Sequence, residues 1–110
     1  MTQGAAERQM DPRDRDVLRP DETDLVGQWL DTGNRIEGDA VTARIDRLTT
    51  EHLVRLGASA DGSRTLYRDP LDGRLWERSH PYRTPRNDGP PRITVIPAER
   101  ARAEYDVELD

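Results

Sequence analysis

This chain of 110 residues contains no cysteine, no phenylalanine and no lysine. Without cysteine there is no disulfide framework and no thiolate metal site. Without phenylalanine, large apolar mass has to come from Leu, Val and Ile, together with Trp29, Trp76, Tyr67, Tyr82 and Tyr105. Apolar residues make up 33% of the chain and charged residues 35%, which leaves few core formers for a globular domain. The core is therefore small, and each buried Leu, Ile or Val, worth roughly 1.5–3 kcal/mol, matters to it. No stretch approaches the ~20 apolar residues of a membrane span. The opening MTQGAAERQMDPRDRD has no apolar run of the kind a secretory signal needs, so the expected compartment is the cytoplasm. The length suits one domain.

What is present is charge, unevenly spread. All positive charge is arginine, and with abundant Asp and Ala this composition fits a GC-rich bacterial genome. The net charge is −5. Residues 20–62 carry nine acidic groups against four Arg, and residues 97–110 carry five against two. Residues 63–96 reverse the balance, with seven Arg against four acids. A largely acidic body does not suit nucleic-acid binding, which needs a basic footprint. The acidic runs at Asp21–Asp24 and Glu104–Asp110 have two readings: solubility, or steering of a basic partner.

Residues 1–17 are polar and aperiodic and read as a mobile N-terminal tail, with one domain over 18–110. Leu25–Leu30 followed by Thr32-Gly33-Asn34 reads as a strand or loop folding back through Ile36. Asp39 is the expected N-cap of a helix running to about Leu56. Its apolar face is Val41, Ile45, Leu48, His52 and Leu56. Glu51 and Arg55 have the spacing of a helical ion pair, and Gly57 supplies a stop. Short strands are expected at Leu56–Ala60, Arg64–Asp69, Leu75–Ser79 and Arg92–Ile96. Asp61-Gly62 marks one turn. Asp69-Pro70-Leu71-Asp72-Gly73 marks a stronger one, closing a hairpin. Pro81–Pro91 holds four prolines and one glycine and reads as a loop. Pro97 at a first helical position starts a last helix, Ala98–Tyr105. The fold class is α+β: a small antiparallel sheet, a meander with the DPxDG hairpin, packed against one main helix and a short C-terminal helix.

Chemistry is sparse. Asp69, Asp72 and Glu77, with His80 nearby, are the one carboxylate group from which a small hydrolase could be built. Asp69 and Asp72 are equally the residues a proline turn wants, and Glu77 reads as a strand-face residue beside Arg78. Asp69–Glu77 lacks the spacing of a calcium loop. His52, amid the apolar face of the helix, reads as a packed, hydrogen-bonded histidine rather than a ligand. There is no phosphate-binding glycine loop and no nucleophile elbow. No catalytic residue, metal or cofactor is expected, nor a small-molecule substrate, nucleic acid or membrane. A protein partner is.

Glu22-Thr23-Asp24-Leu25-Val26-Gly27 with Trp29, then Arg44-Ile45 with Leu48 and Leu53, resembles the opening of the immunity protein 27 family. Leu66-Tyr67-Arg68-Asp69-Pro70, Asp72-Gly73-Arg74 and Trp76-Glu77 resemble its central signature. Gly89-Pro90-Pro91, Ile96, Ala101 and Tyr105 are similar to its closing segment. The likeness spans about residues 18 to 105. Departures are Ser63 in place of a Trp, His80 in place of a Tyr, and Arg86-Asn87-Asp88-Gly89 where the family loop is His-Gly-rich. The resemblance implies a non-enzymatic protein, encoded beside a bacterial polymorphic toxin, that neutralises the toxin by stoichiometric binding and occlusion of its active site. Tyr67, Asp69, Pro70, Asp72, Gly73, Trp76 and Glu77 match the signature, and turn formation and packing explain most of them. Because they are committed to the fold, partner choice is expected to rest on variable acidic groups: Asp46, Glu51, Glu104, Asp106 and Glu108. The Arg83–Gly89 loop is the alternative contact surface, and an adaptor for a protein other than a toxin is the alternative binding role.

Overall fold

A computed structural model describes residues 17–109. The expected tail, residues 1–17, lies outside the described residues except for Val17. The elements are β1 (Asp24–Val26), β2 (Trp29–Asp31), β3 (Ile36–Gly38), α1 (Ala40–Arg47), β4 (Val54–Ala58), β5 (Thr65–Arg68), β6 (Leu75–Ser79), β7 (Arg92–Ile96) and α2 (Ala98–Glu104). Five strands form an antiparallel sheet in the order β1-β7-β6-β5-β4, while β2 and β3 pair as a separate hairpin. The fold is α+β.

Alternation along the strands divides the core into two layers. Tyr67, Trp76 and Ile93 pack against Ile45 of α1 and Leu48 just after it, with Leu18 and Leu53 closing the layer. Their neighbours Leu66, Leu75 and Ile96 point to the opposite face and pack against Ala101 of α2 and Tyr105 just after it. The sheet thus lies between the two helices. Trp76 is fully buried and sits opposite Tyr67 and Val95 on the flanking strands. Two aromatic residues counted toward the core stay outside it: Trp29 is 42% exposed and Tyr82 64% exposed.

Asp39 caps α1, its Oδ1 accepting from the Thr42 amide (2.8 Å). The helix is shorter than the apolar spacing predicts. After Arg47 the chain makes one π-helical turn, Leu48–His52, closed by the Leu53 amide donating to the Leu48 carbonyl (2.8 Å). Leu53 is already extended, and β4 starts at Val54. Arg55, Leu56 and Gly57 are therefore strand residues, and the helical Glu51–Arg55 pairing has no helix to sit on. Gly57 does not stop a helix. It lies at a register shift between β4 and β5, where an added Cβ would stand 2.9 Å from Val107. The strand lies two residues N-terminal of the expected Leu56–Ala60, paired with β5 from Val54 onward. The strand Thr65–Arg68 is one residue shorter at each end than expected. Pro97 is the cap of α2 rather than its first helical residue, and Tyr105 follows its last turn.

The N-terminal segment is strapped on by two arginines. Arg44 makes a bidentate contact with Glu22 (2.6 and 2.7 Å) and donates to the Val17 carbonyl (2.9 Å). Arg74 lies over the Trp76 ring, 5.1 Å from its centroid, and donates to the carbonyls of Arg19 (3.0 Å) and Glu22 (2.6 Å). Burial opposes ionisation of Glu22, but the bonds and charges of Arg44 and Arg19 outweigh it and hold its carboxyl below the ordinary value. Glu22 and Asp24, read from sequence as a solubilising or steering run, are engaged within the chain: Asp24 pairs with Arg92 (2.7 Å).

Candidate functional site

The signature hairpin is built inward. Asp69 is fully buried. Its Oδ1 accepts from the Leu71 amide (2.8 Å) and from His52 Nε2 (3.0 Å), which locks the Pro70 turn to the π-helical turn after α1. The Gly73 amide donates to the Asp69 carbonyl (2.8 Å), with Gly73 at φ +78°, a conformation glycine takes without strain. Asp72 accepts from the Arg74 amide and from its guanidinium (2.7 Å); these bonds overcome partial burial and keep its carboxyl below the ordinary range. His52 is thus a packed, hydrogen-bonded residue.

Glu77 lies on a strand face of β6, as expected, and that face is buried. It is 4% exposed, on the α2 face, where it accepts from the Tyr105 hydroxyl (2.8 Å), Arg64 (3.1 Å) and Arg100 (3.4 Å). Burial first, and the hydrogen bond to Glu77 next, raise the Tyr105 hydroxyl above its ordinary pKa. Asp69 shares the α1 face with Tyr67 and Trp76, whereas Glu77 faces α2. Asp72 lies in the turn, tied to Arg74. The three carboxylates proposed for a hydrolase therefore do not converge on one site. Among the described residues, no group of three His, Asp or Glu side chains is placed to hold a metal ion.

The five acidic residues expected to choose a partner divide the same way. Asp46 lies on α1 and accepts from Arg78 (3.0 Å), and Glu51 is exposed in the π-helical turn. Glu104 belongs to α2, held by Arg100 (2.9 Å) and Arg64, whose hydrogen bonds keep its carboxyl below the ordinary range. Asp106 and Glu108 are exposed, alternating with Val107 and Leu109, which pack on the α2-side core.

A different surface stands out for its geometry. Residues 81–88 are all exposed, yet the loop is cross-linked within itself. Thr84 and Asn87 exchange backbone hydrogen bonds (2.8 and 3.2 Å), Asn87 Oδ1 accepts from the Gly89 amide (2.6 Å), and His80 Nδ1 donates to the Gly89 carbonyl (3.2 Å). The β2–β3 hairpin stands beside it, stitched to the start of α1. The Asp39 amide donates to the Gln28 carbonyl (2.9 Å), and Asp39 Oδ1 accepts from the Gln28 amide (3.2 Å). Between loop and hairpin lies a depression of about 520 Å³ lined by Trp29, Tyr82, Asn87 and Gly89. It continues past Trp29 toward Thr42 and Asp46 of α1 and toward Arg78 and His80.

Sequence reasoning kept Arg83–Gly89 as an alternative contact and missed Trp29 and Tyr82, which it assigned to the core. The available signal was their setting. Trp29 is followed by Leu30 and Asp31, all three exposed, in a two-stranded hairpin too short to bury a face. Tyr82 lies in the proline-rich loop.

No curated protein and no solved structure matches this chain. The family model described as Immunity protein 27 matches residues 31–97, which takes in α1, the signature hairpin, the exposed loop and β7. That match covers more than half of the sequence and contains the inward-facing hairpin residues described above, so the chain belongs to the immunity protein 27 family.

Proposed function

We propose that this protein protects its producer in the cytoplasm by binding, one to one, the toxin domain encoded beside it, and by covering that domain's active site. The observation that carries this reading is the family match over residues 31–97. The separation of the hydrolase carboxylates across the two faces of the sheet supports a role in binding rather than turnover. Blockade of this kind needs an interface of standard size, roughly 1,600 Å² in total. It also needs slow escape, with a dissociation constant on the order of nM or tighter. The contact surface is the α1 side of the molecule, where Asp46 lines the same depression as Asn87 and Asp88 of the exposed loop. Glu104, Asp106 and Glu108 belong to the far side.

The test is co-expression with the neighbouring toxin's C-terminal domain, followed by copurification. A stable 1:1 complex with restored growth is the expected result. Restored growth with no physical complex would overturn the mechanism.

A further inference from the structure

We propose that the depression between Trp29 and Tyr82 receives an apolar side chain of the toxin domain, and that Arg83 and Arg86 hold a carboxylate beside it. This rests on the toxin-binding reading and names the partner chemistry of that surface.

Four observations carry it. First, the two aromatic residues are the kind that anchor interfaces. Trp, Tyr and Arg dominate binding hot spots because they bring large contact area with few rotatable bonds. In a chain with so little apolar mass, leaving Trp29 42% and Tyr82 64% exposed forgoes core packing. Second, the depression is preformed, its walls being backbone pressed against neighbours. A Cβ on Gly27 would lie 2.3 Å from Thr42 Oγ1 and 3.0 Å from the Pro91 carbonyl oxygen, and one on Gly89 would lie 2.9 Å from the Tyr82 carbonyl oxygen. Third, the loop's internal hydrogen bonds fix it before any partner arrives, which lowers the ordering cost of binding.

The fourth observation is charge. Arg19, Arg35, Arg44, Arg64, Arg74, Arg78, Arg92 and Arg100 each hold a carboxylate within the chain. Arg83 and Arg86 form no such ion pair among the described residues; Arg55, Arg68 and Arg102 form none either, but they lie apart on β4, β5 and α2, whereas Arg83 and Arg86 stand close together, exposed, on one loop. They line a concavity that shares Thr84 and Asn87 with the aromatic depression. Asp88 lies on the same rim, so two guanidiniums face one carboxylate and the rim is net positive. Its complement is a partner segment that places an acidic residue next to an apolar one.

Isothermal titration of the full chain against a catalytically inactivated form of the neighbouring toxin domain tests this. Trp29→Ala should weaken binding roughly 30-fold or more, the range of a hot spot, and Tyr82→Ala about tenfold, with melting temperatures close to the parent's. The double variant Arg83→Glu/Arg86→Glu should weaken binding at low salt, the deficit narrowing at high salt. If the parent binds tightly while both aromatic variants bind within threefold of it, the inference fails and the toxin-binding reading stands. If the double charge reversal tightens binding, the partner is basic there and the carboxylate assignment is wrong. If the aromatic variants instead abolish self-association of the chain alone and leave toxin binding intact, the occupant is a second copy. If the parent does not bind the toxin domain, the functional reading falls and this inference with it.

Discussion

Two turns of this protein are built from similar residues and used in opposite directions. The Asp69–Gly73 turn and the loop over residues 80–91 both rely on proline, glycine and an Asn or Asp side chain that accepts from a nearby amide. In the first, the acceptor is buried and bonded to His52, so the turn is a fastening between hairpin and helix. In the second, the side-chain bonds stay within the loop, the Pro91 carbonyl alone accepts from a neighbouring amide, that of Gly27 (2.8 Å), and residues 81–88 are exposed. A turn whose polar side chains reach other elements is committed to the fold. A turn satisfied by itself leaves its surface free for a partner.

The largest test of that contrast sets the two tryptophans against each other. Trp76 fills the middle of the α1-side core, and Trp76→Ala should cost about 3–5 kcal/mol, a large share of the stability of a domain this size. Trp29→Ala should cost about 1 kcal/mol or less, since nearly half of the residue is already in water. Chemical denaturation of the two variants measures both. A Trp76 variant as stable as the parent would remove the core assignment.

A smaller effect is expected at the two acceptors. Asp69→Ala leaves the half-buried His52 N–H without its acceptor and frees the turn, at about 1–3 kcal/mol. Asp69→Asn keeps Oδ1 as an acceptor and should restore most of that. Asp69→Asn and Asp72→Asn should both leave protection against the toxin largely intact. Asn87→Ala, in the exposed loop, should shift stability by about 0.5 kcal/mol and act instead on binding. Equal losses at Asp69 and Asn87 in thermal melts would erase the distinction between the turns.

The sequence is legible where local chemistry and long-range packing agree. The hairpin, the limits of β6 and β7, the Asp39 cap and the inward Trp76 follow from turn residues and strand alternation. The end of α1 was not legible. Val41, Ile45, Leu48, His52 and Leu56 keep helical spacing past the point where the helix stops, and nothing local marks a π-helical turn. Strand pairing with β5 takes Val54–Ala58 into the sheet and overrides that spacing. The burial of Glu77 was hidden for a related reason. Its partners Arg64, Arg100 and Tyr105 are 13 to 28 residues away, and a charged residue on a strand reads as solvent-facing until they are placed. The outward position of Trp29 and Tyr82 runs against the rule that a chain poor in aromatic residues spends them on its core.

Acid should weaken the fold through its hydrogen-bonded carboxyls. The carboxyls of Glu22, Asp39 and Asp72 lie below their ordinary values in the folded chain. Their ionised forms are favoured by folding, so their contribution is complete above the ordinary carboxylate range and is lost as pH falls through the lowered values. The melting temperature should therefore drop between about pH 5 and pH 2. Glu22→Gln should make that drop shallower, because it removes the Arg44-paired carboxylate that straps down the N-terminal segment. An unchanged slope would mean that the strap adds nothing to stability.

The smallest expected effects separate the two sides of the sheet. Asp106 and Glu108 project into solvent from the segment after α2, and neither has an ion pair among the described residues. Reversing either to Arg should change stability by no more than about 0.5 kcal/mol. Because they lie across the sheet from the exposed loop, reversal should also leave the equilibrium affinity for the toxin domain unchanged. Asp46→Arg is the informative counterpart. It frees Arg78 beside the depression and sets a second cation next to it, so it should cost up to about 1 kcal/mol in stability, as an exposed ion pair does. It should also alter binding, because Asp46 and Arg78 both line the continuation of the depression toward α1. Titration of all three variants against the inactivated toxin domain decides between the faces. Weakening confined to Asp46→Arg places the interface on the α1 side. Weakening confined to Asp106→Arg and Glu108→Arg moves it to the α2 side and leaves the exposed loop without a partner.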